Sequence, residues 1–192
     1  MTEPARDRPR GVFYTATTLD GFIADEHDSL DWLFKQDQDE AGPLNYGDFI
    51  KGVGAIAMGS TTYMWVRDRL GTGVEGLGDS WPYTQPSYVF THRDLPGLEG
   101  ADLRFVQGPV EDHWASLADA AGDRDVWVVG GGDLAAQFAE AGHLASVITY
   151  IAPVTLGAGR PLFPRRFDLR LAEAHQNKAF IAARYDVVGP LP

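Results

Sequence analysis

The sequence predicts an α/β domain built on a mixed β-sheet, and three observations carry that prediction. Short β-branched and apolar segments alternate with amphipathic segments along the chain. A strand from Asp125 to Val129 runs into Gly130-Gly131-Gly132 and at once into an amphipathic helix. The end of the chain, Leu169 to His175 and Ala179 to Val188, reads as two long strands joined by Gln176-Asn177-Lys178, a hairpin signal. Helical crossovers connect parallel strands and a tight turn connects antiparallel ones, so the combination gives a mixed sheet.

The elements follow in order. Gly11 to Thr18 is β-branched and aromatic, a first strand, and Leu19-Asp20-Gly21 is a turn into the short extended piece Phe22-Ile23-Ala24. A polar loop from Asp25 to Gln38 carries the apolar island Leu30, Trp32, Leu33 and Phe34. Pro43 to Lys51 reads as a short helix with Leu44, Tyr46 and Phe49 as its apolar positions. Val53 to Met58 is a buried strand, and Gly59-Ser60-Thr61-Thr62 opens a helix to about Leu70. Residues 71–80 form a glycine-rich loop, Ser87 to Thr91 a strand, Asp94 to Gly97 a turn and Leu103 to Val106 a short strand. A helix over Val110 to Ala121 precedes the Gly130 turn. Ala145 to Ala152 is a further strand, stopped by Pro153 and followed by a Gly157-Ala158-Gly159 loop.

At 192 residues, 44% of them apolar, the chain has the size and composition of one domain with a sizeable core. Positions 1–10 are rich in proline and charge and read as a disordered leader, and 11–190 as the single folded domain. The net charge is −11, from 27 acidic and 16 basic side chains, which disfavours nucleic acid and anionic membrane as partners. No apolar run approaches the roughly 18–20 residues that span a bilayer, and the expected setting is the cytoplasm. The chain has no cysteine, and its five histidines are scattered with no His-x-x-x-His pair, so no metal site is expected. Nor does a Gly-x-Ser-x-Gly elbow occur.

The three glycines are the most informative stretch. Glycine is poor inside strands and helices alike, and three in a row suit a place where bare backbone must approach something closely. A helix starting there adds unpaired N–H donors and a positive dipole end, which together suit a phosphate. A tight strand-to-helix turn with no ligand is the alternative. The letters Gly-x-Gly-x-x-Ala would also fit a Rossmann turn. That reading fails, because several strands precede Gly130 and no acidic residue lies between Ala141 and Phe167 to hold a ribose. Ser60, Thr61 and Thr62 offer hydroxyls at another helix start, either as a plain cap or as a phosphate site. His92 and Arg93, directly after a strand, read as solvated loop cations or as an anion site.

One order of motifs ties these pieces together: Leu19-Asp20-Gly21-Phe22-Ile23-Ala24, then Met58-Gly59-Ser60-Thr61-Thr62-Tyr63, then Phe90-Thr91-His92-Arg93, then Val129-Gly130-Gly131-Gly132. It resembles the dihydrofolate reductase superfamily, in the branch that includes the reductase domain of bacterial riboflavin biosynthesis. The resemblance runs from about Gly11 to Val188. It implies a three-layer fold: a mixed central sheet of about eight strands, helices on both faces and a C-terminal antiparallel hairpin. It also implies NADPH as cofactor, with Ala16, Ile23 and Val129 at the nicotinamide and Gly59 to Thr62 at the phosphates. Thr91, His92 and Arg93 would then lie near the adenosine ribose and its 2′-phosphate. Gly130, Gly131, Gly132, Asp133 and Leu134 would cradle the pyrophosphate, often with a cis peptide between the two glycines matching Gly130 and Gly131. Homodimers built through edge strands are common in this branch, and the final hairpin is long and apolar.

The substrate side is written less clearly. Asp20 reads as a turn aspartate or as a group near the nicotinamide. Asp20 and Asp37, the latter five residues after Trp32, are the catalytic candidates, and Asp48, on the helix, is a further carboxylate for the substrate. Phe22, Trp32, Tyr46 and Phe49 would wall a flat aromatic substrate, or would be ordinary core. The expected function is an NADPH-dependent reductase of a small pteridine- or aminopyrimidine-like heterocycle. A non-catalytic NADPH-binding or oligomerising protein that kept the fold is the alternative. A phosphoribose tail on the substrate would need basic residues, for which Lys35, Lys51, Arg160, Arg165 and Arg166 are the candidates.

Overall fold

Burial on both sides of the central strands organises the molecule, a computed structural model that describes residues 9–74 and 77–192. The leader expected at the N-terminus therefore lies outside the described residues except for its last two positions, and so do positions 75 and 76 of the glycine-rich loop. The strands are β1 (Gly11–Thr18), β2 (Phe22–Ala24), β3 (Val53–Gly59), β4 (Ser87–Phe90), β5 (Leu103–Val106), β6 (Asp125–Gly130), β7 (Leu144–Ala152), β8 (Arg160–Pro161), β9 (Phe167–Asn177) and β10 (Phe180–Pro190). The helices are α1 (Tyr46–Phe49), α2 (Ser60–Arg67), α3 (Val110–Ala121) and α4 (Gly132–Glu140).

Eight strands form one sheet in the order β5-β4-β3-β6-β1-β7-β10-β9. The run from β5 to β7 is parallel. β10 then pairs antiparallel with β7 and with β9, which closes the sheet as the expected hairpin. Alternation along β3 sends Ala55 and Ala57 to one face and Ile56 and Met58 to the other, and both faces are covered. On the first face α3 supplies Val110 and Leu117, and α4 supplies Leu134 and Phe138, against Phe13, Val126 and Val128. On the second face Tyr63 of α2 packs with Ile56, Met58, Val89 and Trp127, and farther along Trp32 packs with Tyr150, Phe180 and Ala182. This is the mixed three-layer sheet that the sequence predicts.

The boundaries differ in instructive ways. The helix expected over Pro43 to Lys51 is a single turn, α1, followed by a 3₁₀ turn at Ile50–Gly52. Asn45 starts α1 as its cap, accepting the Asp48 N–H on its side-chain oxygen, and Leu44 before it has a positive φ of 58°. The helix opened by Ser60 ends at Arg67 rather than Leu70. Both hairpin strands run about two residues farther at their outer ends. β8, two residues long, pairs with β2 and was too short to read in the sequence. Its position is set by Gly159, where a β-carbon would collide with the carbonyl of Ala24. Asn177, expected only as a turn residue, is buried and holds the backbone of Asp39 from both sides, through bonds of 2.8 and 3.0 Å.

Candidate functional site

The carboxyl ends of β1, β3, β4 and β6 open on one cleft of about 1160 Å³, as open parallel sheets favour. Ala16 and Ile23, Gly59 to Thr62, Thr91, His92, Val129 and Gly130 to Leu134 all line it, so residues far apart in the chain meet as the sequence order implied. The strand pairing is the reason: Met58 of β3 lies opposite Gly130 of β6, and each strand leads straight into its helix.

The three glycines answer to three different neighbours. A β-carbon on Gly130 would sit 2.9 Å from Thr62 Oγ1. One on Gly132 would collide with the backbone carbonyls of Pro161 and Leu162. One on Gly131 would meet nothing within 4 Å, because that position faces the open cleft. The peptide between Gly130 and Gly131 is cis. Gly131 caps α4 and Gly59 caps α2, neither with a side-chain hydrogen bond, so both helix starts keep bare N–H groups. Such starts carry donors and partial positive charge for an anion, in a chain whose overall charge is negative.

At one side of these glycines the buried Thr91 uses its hydroxyl to accept the Arg93 N–H at 2.9 Å. This turn aims His92 into the large cleft. Arg93 falls outside its lining and borders an adjoining hollow of about 330 Å³ with Thr91, His92 and Gln107.

The other side of the cleft is aromatic. Tyr14 and Tyr46, with Tyr83, Trp127 and Tyr150, line it. Their ring centroids stand 5.6 Å apart for Tyr46–Trp127, 5.5 Å for Tyr83–Trp127 and 5.9 Å for Tyr14–Tyr150. Tyr14 and Tyr150 are anchored through their hydroxyls to the carbonyls of Leu44 and Pro43, at 3.1 and 2.7 Å. Burial pushes the Tyr14 and Tyr83 phenols well above their usual range, so both remain protonated. Asp37, Glu40, Gln36 and Gln38 form the rim of this end, and Phe34 and Trp65 stack at 6.4 Å across it.

Several expected substrate residues lie elsewhere. Trp32, 7% exposed, is core against Tyr150 and Phe180, and Phe49 stacks on the back of Tyr14 at 4.4 Å. Phe22 belongs to the β2–β8 ladder and does not line the cleft. Asp48 serves the α1 cap, with Lys51 Nζ at 2.7 Å, and the Lys51 bond holds its carboxyl below the usual range. Asp20 also stands outside the lining. Its carboxylate accepts the Thr18 hydroxyl and the N–H groups of Leu156 (3.0 Å) and Gly157 (2.7 Å). These bonds, that of Thr18 first, keep it ionised and tie the first turn to the 155–157 loop. Asp20, a catalytic candidate in the sequence, is thus placed as a clamp between the first turn and the 155–157 loop. Asp37 does reach the cleft, as an exposed partner of Lys178 at 2.9 Å.

Sequence reasoning missed Tyr14, Tyr83, Trp127 and Tyr150 as lining residues. For Tyr14 and Trp127 a signal existed: they are large aromatics on β1 and β6, strands whose ends already carried the site. Arg160, a candidate in the sequence for a substrate's phosphoribose tail, also lines the cleft and holds Asp28 at 2.6 Å.

A cleft at the carboxyl ends of parallel strands, on a sheet closed by an antiparallel hairpin, is the architecture of dihydrofolate reductase-like reductase domains. The chain belongs to the RibD C-terminal domain family, whose model matches residues 9–179. It is 31% identical over 153 residues to the Bacillus subtilis (strain 168) protein named "Uncharacterized protein YwjB", covering 79% of this chain and 81% of that one. It is 27% identical over 182 residues to "Uncharacterized protein YyaP" of the same organism, covering 89% and 90%. Among solved structures, a putative riboflavin biosynthesis protein from Shewanella sp. PV-4 superposes with a TM-score of 0.76 at 22% identity, over 93% of this chain and 99% of that one. A diaminohydroxyphosphoribosylaminopyrimidine deaminase/5-amino-6-(5-phosphoribosylamino)uracil reductase from Thermotoga maritima gives 0.63 at 18% identity, over 95% of this chain and 58% of that one. These likenesses establish the fold of a riboflavin-type reductase domain.

Proposed function

We propose that this chain is an NADPH-dependent reductase of a small flat heterocycle of the pteridine or aminopyrimidine type. The observation that carries the reading is Gly131, open to the cleft between two helix starts that no side chain caps. A dinucleotide pyrophosphate fits there, because backbone donors come close and nothing occupies the place of a side chain. Ser60, Thr61 and Thr62 add hydroxyl donors from the α2 start, and His92 and Arg93 stand where an additional phosphate on the ribose would gain charge-assisted bonds. Reduced nicotinamide, when bound, supplies a hydride to an electron-poor ring carbon.

The residues of the chain then have distinct tasks. Ala16, Ile23 and Val129 shape the floor between the phosphate end and the aromatic end. Tyr46 and Trp127 offer faces for a ring, and the aromatic walls exclude water from it. The buried Tyr83 phenol, kept protonated, serves as a hydrogen-bond donor at that end. Family membership supports the reductase class. The proposal includes a cytoplasmic setting and a homodimer formed through the β9–β10 hairpin, where Leu171, Ile181 and Val188 are 57%, 53% and 59% exposed. The test is titration with NADPH and NADH, followed by NADPH oxidation against a panel of pteridines and aminopyrimidines. An enzyme that binds neither cofactor would end this reading, and one that binds NADPH yet turns over no ring would favour the non-catalytic alternative.

A further inference from the structure

We infer that Asn177, in the turn of the β9–β10 hairpin, is a positioning residue for the cleft. It holds residues 36–40 and Tyr150 where a ring against the aromatic wall would meet them. What the rim meets rests on the reductase reading above; how the rim is held does not.

Residues 25–45 form neither helix nor strand, so no ladder of backbone bonds fixes them. Yet Gln36, Asp37, Gln38 and Glu40 all line the cleft. Their support comes from the far end of the chain. β9 and β10 meet at the pair Asn177 and Phe180, which leaves Lys178 and Ala179 as a tight turn, with Lys178 at a φ of 48°. The Ala179 N–H donates to the Asp37 carbonyl at 3.2 Å, and Lys178 Nζ donates to the Asp37 carboxylate at 2.9 Å.

Asn177 supplies the central link, to Asp39 between the lining residues Gln38 and Glu40. Its side-chain oxygen accepts the Asp39 N–H at 2.8 Å and its Nδ2 donates to the Asp39 carbonyl at 3.0 Å. One side chain thus pairs with both backbone groups of one residue, as a neighbouring strand would. Nδ2 also donates to the Tyr150 hydroxyl at 3.4 Å, and that hydroxyl donates in turn to the Pro43 carbonyl. Asn177 is 2% exposed, and these bonds use both of its amide hydrogens. A carboxylate has no hydrogen to give and a hydroxyl has one, so neither could replace the amide. Gly42 closes the other side, because a β-carbon there would collide with the Asn177 amide.

The bonds of this unit all run to the aromatic end; Gly59 to Thr62 and Gly130 to Leu134 take no part in them. A rim that is already in place need not be ordered when a ring binds, and that saved entropy is affinity. Loss of Asn177 should therefore appear in KM, and leave cofactor affinity and hydride transfer alone.

The chain has no cysteine, so Glu40→Cys accepts a single nitroxide whose spectrum reads rim motion. Glu111→Cys, exposed on the first turn of α3, is the control. With Asn177→Ala the label at position 40 should become severalfold more mobile, while the control label and the calorimetric NADPH affinity should not change. In the unlabelled chain, NADPH oxidation by 7,8-dihydrobiopterin should show a KM raised about tenfold, the effect of one ligand hydrogen bond, at nearly unchanged kcat. Lys178→Asn keeps a residue suited to the left-handed turn but cannot reach Asp37. It should act in the same direction, more weakly, and it carries the test should Asn177→Ala not fold. A label that stays immobile in a destabilised Asn177→Ala chain would make Asn177 an ordinary core residue and overturn the inference. So would a fall in NADPH affinity or kcat that matches the rise in KM, or a mobile rim with KM unchanged. A wild-type chain that binds no NADPH, or reduces no pterin, counts against the reductase reading, while the labels still decide how the rim is held.

Discussion

Thr62 Oγ1 stands 2.9 Å from where a β-carbon on Gly130 would lie, so the first turn of α2 and the end of β6 are in direct contact. That contact brings two helix starts to one place, and it makes Gly130 a packing residue. Gly131, its neighbour, has no such neighbour of its own. The glycine run therefore separates into two residues that pack closely against the fold and one that is open to the cleft.

This separation is testable. Gly131→Val should unfold within about 1 kcal/mol of the wild type, since its extended backbone accepts a side chain and nothing stands in the way. The same change should abolish NADPH binding. Gly132→Ala should cost about 1–3 kcal/mol, because backbone carbonyls cannot swing aside as a side chain can. Denaturant unfolding beside calorimetric titration reads both, and retained NADPH affinity in Gly131→Val would make the run a turn and nothing more.

Cofactor choice should depend on the turn after β4. NADPH is expected to bind more tightly than NADH by about ten- to a hundredfold, the range of one or two charge-assisted bonds. Arg93→Ala should reduce that ratio through NADPH alone. Fluorescence titration with both cofactors decides it, and equal affinities in the wild type would remove the assignment of His92 and Arg93.

Asp20 should matter to stability and its pH dependence rather than to chemistry. Its folded pKa lies below the ordinary 3.8, so its contribution is fully present above that value and is lost as the pH falls through the depressed one. Asp20→Asn should lower the Tm at neutral pH, and the gap should close in strongly acidic solution. Turnover per folded molecule should stay near that of the wild type, because the side chain does not line the cleft. A gap that is constant with pH, or a selective loss of kcat, would contradict the clamp.

Two aromatic residues should respond in opposite ways. Trp32→Ala removes a core side chain packed on Tyr150 and Phe180 and should cost about 3–5 kcal/mol. Tyr46→Ala, at a residue 41% exposed on the cleft wall, should raise the substrate KM with little change in stability or NADPH affinity. Thermal unfolding and steady-state kinetics of the two variants, side by side, would show whether the wall lies at Tyr46.

The hairpin register sets Leu171 opposite Tyr185, with Ile181 on the same face two pairs farther along by alternation. Leu171→Glu combined with Ile181→Glu should shift the chain from dimer to monomer in sedimentation experiments. An unchanged species would move the interface elsewhere.

The sequence by itself determined the alternation of strands and helices, the closing hairpin, the glycine turn at the end of β6 and the order of motifs that marks the family. These are local properties. Period, turn chemistry and motif order depend on neighbours along the chain, and Val53 to Met58 or Val110 to Ala121 carry them in full. The tertiary structure alone decided what each apolar or charged side chain faces. Trp32 and Tyr46 are both large aromatics near one cleft, yet one is covered by β7 and β10 and the other opens to the cleft itself. Asp20 and Asp37 are both carboxylates after the first strand, yet the returning 155–157 loop claims the first with backbone N–H groups. Gly130, Gly131 and Gly132 are identical letters whose roles differ because Thr62, open space and the Pro161–Leu162 backbone stand beside them. Periodicity says which face a residue shares; only the packed chain says what covers that face.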